Sequence, residues 1–102
     1  MFKLKRTQKA DNQLSNIIYY VADSTGSIDT AMKLSETIEK ALMRISVFPE
    51  SGVKPKYSIL DRQGLRILIV NRYIIFYKID SANETIIIVG IVSSSQEYIN
   101  LI

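Results

Sequence analysis

Basic side chains crowd residues 51–78, where the only acidic residue is Asp61. They are Lys54, Lys56, Arg62, Arg66, Arg72 and Lys78. Lys54 and Lys56 are two residues apart, so an extended backbone would point both to the same side. Arg66 lies among aliphatic residues of a β-prone run, where a charge must face solvent or serve a purpose. We therefore predict an anionic partner for this stretch.

Composition limits the chemistry open to this protein. The 102 residues include no cysteine and no histidine, which excludes disulfides, the usual zinc sites, and catalysis by a thiolate or an imidazole. No pair of carboxylates suggests a metal site, and we predict no cofactor. Hydrophobic residues make up 47% and charged residues 23%, as in one soluble globular domain spanning residues 1–102. The net charge of +3 suits a nucleic acid or an acidic protein as partner.

The sequence also carries expectations about location. It shows no signal peptide, and no apolar run approaches the roughly 20 residues of a membrane span. We expect a cytoplasmic protein with no membrane partner.

The chain begins with the pattern of a short strand and a helix. Phe2 and Leu4 alternate with Lys3 and Lys5, which indicates a strand with one solvent-facing side. Asp11 is a plausible N-cap for the helix that follows. Its apolar stripe is Leu14, Ile17, Ile18 and Val21. This pattern predicts one buried face on a first helix.

A second helix follows the break at residues 24–26. It is predicted to begin near Ser27 or Asp29 and to run to about Val47, ending before Pro49 because proline disfavours helix in the preceding residue. Its apolar stripe is Ala31, Leu34, Ile38, Ala41, Leu42 and Ile45. The two helices are expected to form an antiparallel hairpin.

The second half of the chain is rich in strands. Residues 50–63 have the composition of a loop, with a possible extended piece at 56–60. Strands are predicted near residues 65–70, 73–79 and 85–92, and the last should be central because it is apolar on both faces. The pattern predicts an α+β fold of order β-α-α-β-β-β, with a helical hairpin packed on one face of a small, mainly antiparallel sheet.

This order resembles the RelE/ParE superfamily of toxins from type II toxin–antitoxin systems. The matching pieces are residues 14–21 (LSNIIYYV), 48–52 (FPESG), 65–70 (LRILIV), 73–80 (YIIFYKID) and 96–102 (QEYINLI). The resemblance covers nearly the whole chain. It implies one of two activities: RelE-like members cleave messenger RNA on the ribosome, whereas ParE-like members poison DNA gyrase and are not nucleases. It also implies a cognate antitoxin as partner, with operator DNA bound only through the antitoxin complex.

The nuclease alternative implies specific roles for basic residues. Attack of a 2′-hydroxyl on the adjacent phosphate needs a base, charge stabilisation and a proton donor. By resemblance to nuclease members, Lys54 and Lys56 are candidate bases and Tyr98 a candidate for stacking or proton transfer, in a metal-independent reaction. Arg66, with Arg62, would hold phosphate through the guanidinium fork, and Arg72 is a further candidate for binding phosphate.

Each candidate also has a structural interpretation. Lys54 and Lys56 can be solvated loop residues, and Arg66 can form an ion pair with Asp61 or Glu97. Tyr98 can pack against Leu101 and Ile102. Aromatic residues 73, 76 and 77 can stack on bases but are more typical of a core.

One departure from the superfamily weakens the nuclease hypothesis. Many members carry a histidine or arginine after the last strand, where this chain has Ser93, Ser94 and Ser95. A serine carries no charge and stabilises a phosphorane less well. Three possibilities therefore remain for a toxin: a nuclease that relies on Lys54, Lys56 and Arg66, a gyrase inhibitor, or a toxin of weakened activity. Of these we expect ribosome-dependent cleavage of messenger RNA, because the three basic residues match the nuclease pattern, with gyrase inhibition as the alternative. A basic interaction module unrelated to toxicity is the remaining alternative.

The strands predict a surface for the antitoxin. The alternate faces of the sheet carry Ile74, Phe76, Ile86, Ile88 and Val92, more apolar area than one short hairpin is expected to cover. An antitoxin helix and strand would cover the surplus. Its acidic residues would meet three arginines: Arg62, Arg66 and Arg72.

Overall fold

The computed structural model of the protein describes residues 1–54 and 64–94. Its elements are β1 (Lys3–Arg6), α1 (Gln8–Thr25), α2 (Ile28–Val47), a 3₁₀ turn (Pro49–Ser51), β2 (Arg66–Val70), β3 (Tyr73–Asp80) and β4 (Thr85–Ser93). The predicted order β-α-α-β-β-β and the α+β class are confirmed. The extended piece predicted at 56–60 lies outside the described residues.

Helix α1 begins earlier than the sequence suggested, and the prediction of Asp11 as its N-cap is wrong. The cap is Thr7, whose hydroxyl oxygen accepts a hydrogen bond from the Ala10 N–H at 3.1 Å. The Thr7 N–H still bonds to the Ile88 carbonyl at 3.0 Å, so the change from strand to helix falls on Thr7 itself. Asp11 lies in the first helical turn and pairs instead with Arg6, 3.0 Å from its Nε.

The break between the helices is where the sequence predicted it. Gly26 ends α1 with a φ of +66°, a left-handed conformation that glycine adopts without steric cost. Ser27 then caps α2 by accepting a hydrogen bond from the Thr30 N–H at 3.1 Å. Helix α2 ends at Val47, directly before Phe48 and Pro49, as expected from the proline. Neither helix of the described residues has the length and apolarity that a bilayer span needs.

The four strands form one mixed sheet of order β1-β4-β3-β2. Strands β2, β3 and β4 are an antiparallel meander, and β1 pairs with β4 in parallel. The central position predicted for the apolar strand at 85–92 is thus confirmed. The β3–β4 register shifts between Phe76 and Tyr77, so Val89 is an extra residue on β4.

Apolar residues are buried on both faces of this sheet. Helices α1 and α2 pack on one face, where Ile86 and Ile88 are fully buried. Ile74, Phe76 and Val92 belong to a second buried cluster that does not include helix residues. The prediction that these five residues form surplus exposed surface is therefore wrong, because the sheet is covered on both sides at these positions.

Candidate functional site

Residues 49–54, which lead to Lys54 and are called the basic segment below, are tied to the edge of the sheet. Val53 and Ile67 form an antiparallel bridge with two backbone hydrogen bonds, of 2.9 Å and 2.8 Å. In an antiparallel bridge the residue after one partner lies beside the residue before the other. Lys54 and Arg66 therefore occupy neighbouring backbone positions, and the Lys54 side chain is exposed.

Arg66 is bound to the backbone of the protein itself. Its Nη1 donates to the Gly52 carbonyl at 2.9 Å and, at 3.5 Å, to the Glu50 carbonyl. Part of the guanidinium fork is therefore occupied, and the side chain is half-buried. Asp61 and Glu97, the ion-pair partners considered from the sequence, lie outside the described residues.

Tyr77 holds the same segment from the neighbouring strand. It lies opposite Arg66 in the β2–β3 register and is fully buried. Its hydroxyl donates to the Pro49 carbonyl at 2.7 Å and accepts from the Gly52 N–H at 3.0 Å. Burial raises the pKa of Tyr77 above its ordinary value of 10.0, and the Gly52 hydrogen bond and the Arg66 charge oppose that rise.

Gly52 is required where the two strands and the segment meet. A Cβ atom at this position would lie 2.8 Å from the Ile67 carbonyl oxygen and 2.8 Å from Tyr77 Cε1. These contacts are too close for any side chain, and one of them is with backbone. Gly52 and Tyr77 are 25 residues apart, so the sequence does not show that they are partners, although the glycine before the lysines is a visible signal.

Of the remaining candidate residues, the structure describes only Arg72, which does not lie beside Lys54 and Arg66. Arg72 follows β2, so the length of that strand, roughly 13 Å at about 3.3 Å per residue, separates it from Arg66. Lys56, Arg62 and Tyr98 lie outside the described residues. Their proposed roles stay predictions.

Two of the three serines, Ser93 and Ser94, lie beside Arg72. Ser93 pairs with Tyr73 at the end of β4, and the Ser94 N–H donates to the Arg72 carbonyl at 2.8 Å. Ser95 lies outside the described residues. Ser93 and Ser94 thus lie near Tyr73 at the start of β3, four residues before Tyr77 and at the opposite end of β2 from Arg66.

The aromatic residues of β3 mostly serve the core. Phe76 and Tyr77 are fully buried, which confirms the structural interpretation for both, and Tyr73 is half-buried. Within residues 1–54 and 64–94, no group of acidic side chains could hold a metal ion.

An open cleft of about 450 Å³ lies next to the segment that Tyr77 holds. It is lined by Phe2, Val47, Phe48, Pro49, Glu50, Ser51, Ile79 and Ser81. Phe48, which lines this cleft, is 63% exposed, so its ring offers apolar area to a partner. Pro49, whose carbonyl bonds to Tyr77, links this cleft to the lysine-bearing segment.

Known proteins share this architecture. The family model described as ParE toxin of type II toxin–antitoxin system, parDE, matches residues 4–98. The solved structure "Chromosomal ParDE TA system from P. aeruginosa" is similar with a TM-score of 0.73 and 20% sequence identity, covering 91% of this chain and 96% of that chain. At this identity the structural likeness concerns the fold. No curated protein sequence matches the chain.

Two helices on one face of a four-stranded mixed sheet, with a basic segment at the sheet edge, define a small α+β toxin of the RelE/ParE superfamily. Within that superfamily, the chain belongs to the ParE toxin family of type II toxin–antitoxin systems. The superfamily resemblance drawn from the sequence is confirmed.

Proposed function

We propose that this toxin inhibits growth by acting on DNA gyrase and does not cleave nucleic acid. The observation that carries the proposal is the ParE family match across residues 4–98, because ParE-like members of the superfamily poison gyrase. The contacts of Arg66 support it, since Nη1 is bonded to the Gly52 carbonyl and so is not free for phosphate. We further propose that the protein acts in the cytoplasm, where gyrase and DNA are found.

Cleavage of ribosome-bound messenger RNA is the second candidate. It is favoured by the Val53–Ile67 bridge, which places Lys54 beside Arg66 at the sheet edge. In this alternative, Lys54 would take the proton of the attacking hydroxyl, and the other N–H groups of Arg66 would hold phosphate. Lys56, Arg62 and Tyr98 would complete the set, with Arg72 as a further phosphate ligand.

One experiment separates the two candidates. The toxin is induced in cells while transcript 5′ ends are mapped, and the purified protein is added to a gyrase supercoiling assay. Inhibited supercoiling with no new 5′ ends is the expected result. New 5′ ends that disappear in Lys54→Ala, but persist in the exposed α2 control Lys33→Ala, would overturn the gyrase proposal and establish the nuclease. If the toxin neither inhibits supercoiling nor produces new 5′ ends, both candidate functions are overturned.

We propose that a cognate antitoxin silences the toxin by covering the cleft beside Phe48. The cleft is mostly apolar and Phe48 protrudes from it, so an apolar side chain of the antitoxin would gain buried area there. Acidic antitoxin residues would meet Arg66 and Arg72, as well as Arg62. Operator DNA would be bound only through the toxin–antitoxin complex.

The antitoxin proposal is tested by co-expression with the adjacent open reading frame. Phe48→Ala is expected to weaken the purified complex about tenfold or more, because buried aromatic residues dominate interfaces. Tyr19→Ala, at an equally exposed aromatic on α1, is the matched control and should bind normally. Equal weakening by both variants, or a toxin that copurifies with no protein, would contradict the proposal.

A further inference from the structure

Three lysines lie on the face of the sheet opposite the helices. Lys5 of β1 and Lys78 of β3 both pair with Ile87 of β4, one on each side, and Lys3 pairs with Thr85 in the next row. All three lysines are exposed. We call Lys3, Lys5 and Lys78 the sheet-face lysines.

The alternation of side chains along each strand shows which face of the sheet the three lysines occupy. Leu4, Ile79, Ile86 and Ile88 pack in the cluster under the helices. Side chains alternate along a strand, so the residues next to these four in sequence point away from the helices. The sheet-face lysines therefore project from the helix-free side, where Ile87 is half-buried between two of them.

Carboxylates of the described residues do not neutralise this group. The ion pairs of residues 1–54 and 64–94 both involve Arg6, which contacts Asp11 and Glu39 on the helical side. Asp80 is on the same face as the lysines and keeps its negative charge while it accepts two hydrogen bonds from Asn83, but within the described residues it forms no ion pair with them. The three sheet-face lysines outnumber Asp80, so this face carries a net positive charge that an external anion can meet.

The spacing of the sheet-face lysines fits a line of phosphates. Adjacent strands are about 4.8 Å apart, so the backbones of Lys5 and Lys78 are roughly 10 Å apart, and Lys3 is roughly 7 Å from Lys5. Duplex DNA carries about one charge per 1.7 Å of helix axis, so several phosphates lie within reach of the three flexible side chains.

We propose that the sheet-face lysines bind the phosphate backbone of duplex DNA. Proteins that bind single strands stack the bases on exposed aromatic residues. In the described part of β3 and β4, Phe76 is the one aromatic residue on this face, and it is fully buried. This inference rests on the proposed function in choosing DNA, because gyrase holds a DNA duplex. A toxin directed at gyrase would then contact the DNA as well as the enzyme.

The test is binding of a fluorescein-labelled 20-base-pair duplex, measured by anisotropy as salt is raised, with no gyrase present. The triple variant Lys3→Gln, Lys5→Gln, Lys78→Gln is expected to bind at least tenfold more weakly at low salt. Its plot of log affinity against log salt should be shallower by about 2 to 3, one unit for each phosphate that the protein no longer neutralises. The triple Lys→Arg variant keeps the charges and should restore binding.

The matched control removes the same charge from the helices, with Lys9→Gln, Lys33→Gln and Lys40→Gln. It should bind like the wild type. Equal loss in both triple variants would show that only net charge matters and would overturn the proposal, as would no binding by the wild type or tighter binding of a single strand. Because gyrase is absent, failure of gyrase inhibition in the supercoiling assay would leave this result untouched.

Discussion

At the residue scale, a single buried hydroxyl positions the basic segment. Tyr77 uses its oxygen both to donate to Pro49 and to accept from Gly52, while Arg66 bonds to the Gly52 carbonyl. A buried backbone N–H or carbonyl without a partner destabilises the folded state, so these bonds hold the chain leading to Lys54 in one place. We infer that Tyr77 is a structural residue rather than part of a nucleic-acid surface.

We predict that Tyr77→Phe lowers the free energy of unfolding by about 1–3 kcal/mol, because the buried Gly52 N–H loses its partner. Urea unfolding followed by circular dichroism measures the change. Tyr19→Phe is the control, since the Tyr19 side chain is 70% exposed on α1 and should change stability by less than about 0.5 kcal/mol. Equal stability of wild type and Tyr77→Phe would contradict the role assigned to the hydroxyl.

The same pair of proteins should differ in their response to alkaline pH. Burial raises the folded-state pKa of Tyr77 above the value of 10.0 expected in the unfolded chain. Its contribution to stability is therefore complete below pH 10 and is lost as pH rises through the folded-state pKa. The stability difference between wild type and Tyr77→Phe should shrink above about pH 10, and a difference that grows there would refute this account.

At the element scale, the junction of β1 and α1 joins the sheet to both helices. Thr7 completes the strand pairing and caps α1, and Arg6 contacts Asp11 on α1 and Glu39 on α2. The ion pairs are largely exposed and contribute little, typically 0–1 kcal/mol each. The Thr7 cap is therefore expected to stabilise the fold more than the Arg6 ion pairs do.

We predict that Thr7→Ala lowers the free energy of unfolding by about 0.5–2 kcal/mol, through loss of the hydrogen bond to the Ala10 N–H. Thermal or urea unfolding measures it. Thr7→Ser keeps the capping oxygen and should be close to wild type, and Asp11→Ala, which removes only an exposed ion pair, should cost less than Thr7→Ala. A larger loss of stability in Asp11→Ala than in Thr7→Ala would show that Asp11 is the more important residue at the start of α1.

At the scale of the whole molecule, the sheet lies between two buried apolar clusters, one on each face. One lies under α1 and α2, and the other includes Ile67, Ile74 and Phe76 on the opposite face. The sheet-face lysines occupy the remaining part of that opposite face. This face of the sheet therefore has a buried apolar part and an exposed, positively charged part.

We predict that Ile74→Ala lowers the free energy of unfolding by about 2–5 kcal/mol, as expected for a large-to-small change at a site that is 7% exposed. Ile69 pairs directly with Ile74 but is 65% exposed. Ile69→Ala should therefore cost less than about 1 kcal/mol. Chemical unfolding of the two variants side by side makes the comparison, and equal costs would show that the second cluster does not contribute to the core.

The amino-acid sequence alone determined the element order, the break at Gly26, the end of α2 before Pro49 and the central position of β4. Alternation, helical stripes and proline act between residues close in the chain, so they are visible without a structure. The cap of α1 was misassigned because Thr7 and Asp11 are both good capping residues, and the pairing of Thr7 with Ile88 comes from a distant strand.

Only the tertiary structure decided what the site residues contact. Arg66 bonds to Gly52, which is 14 residues away in the sequence. Tyr77 bonds to Gly52 and Pro49, which are 25 and 28 residues away. Local patterns carry no information on such pairs, because strand register and the path of the connecting segment bring them together. For the same reason Lys3, Lys5 and Lys78 become one surface only when β1 pairs with β4 and β4 with β3.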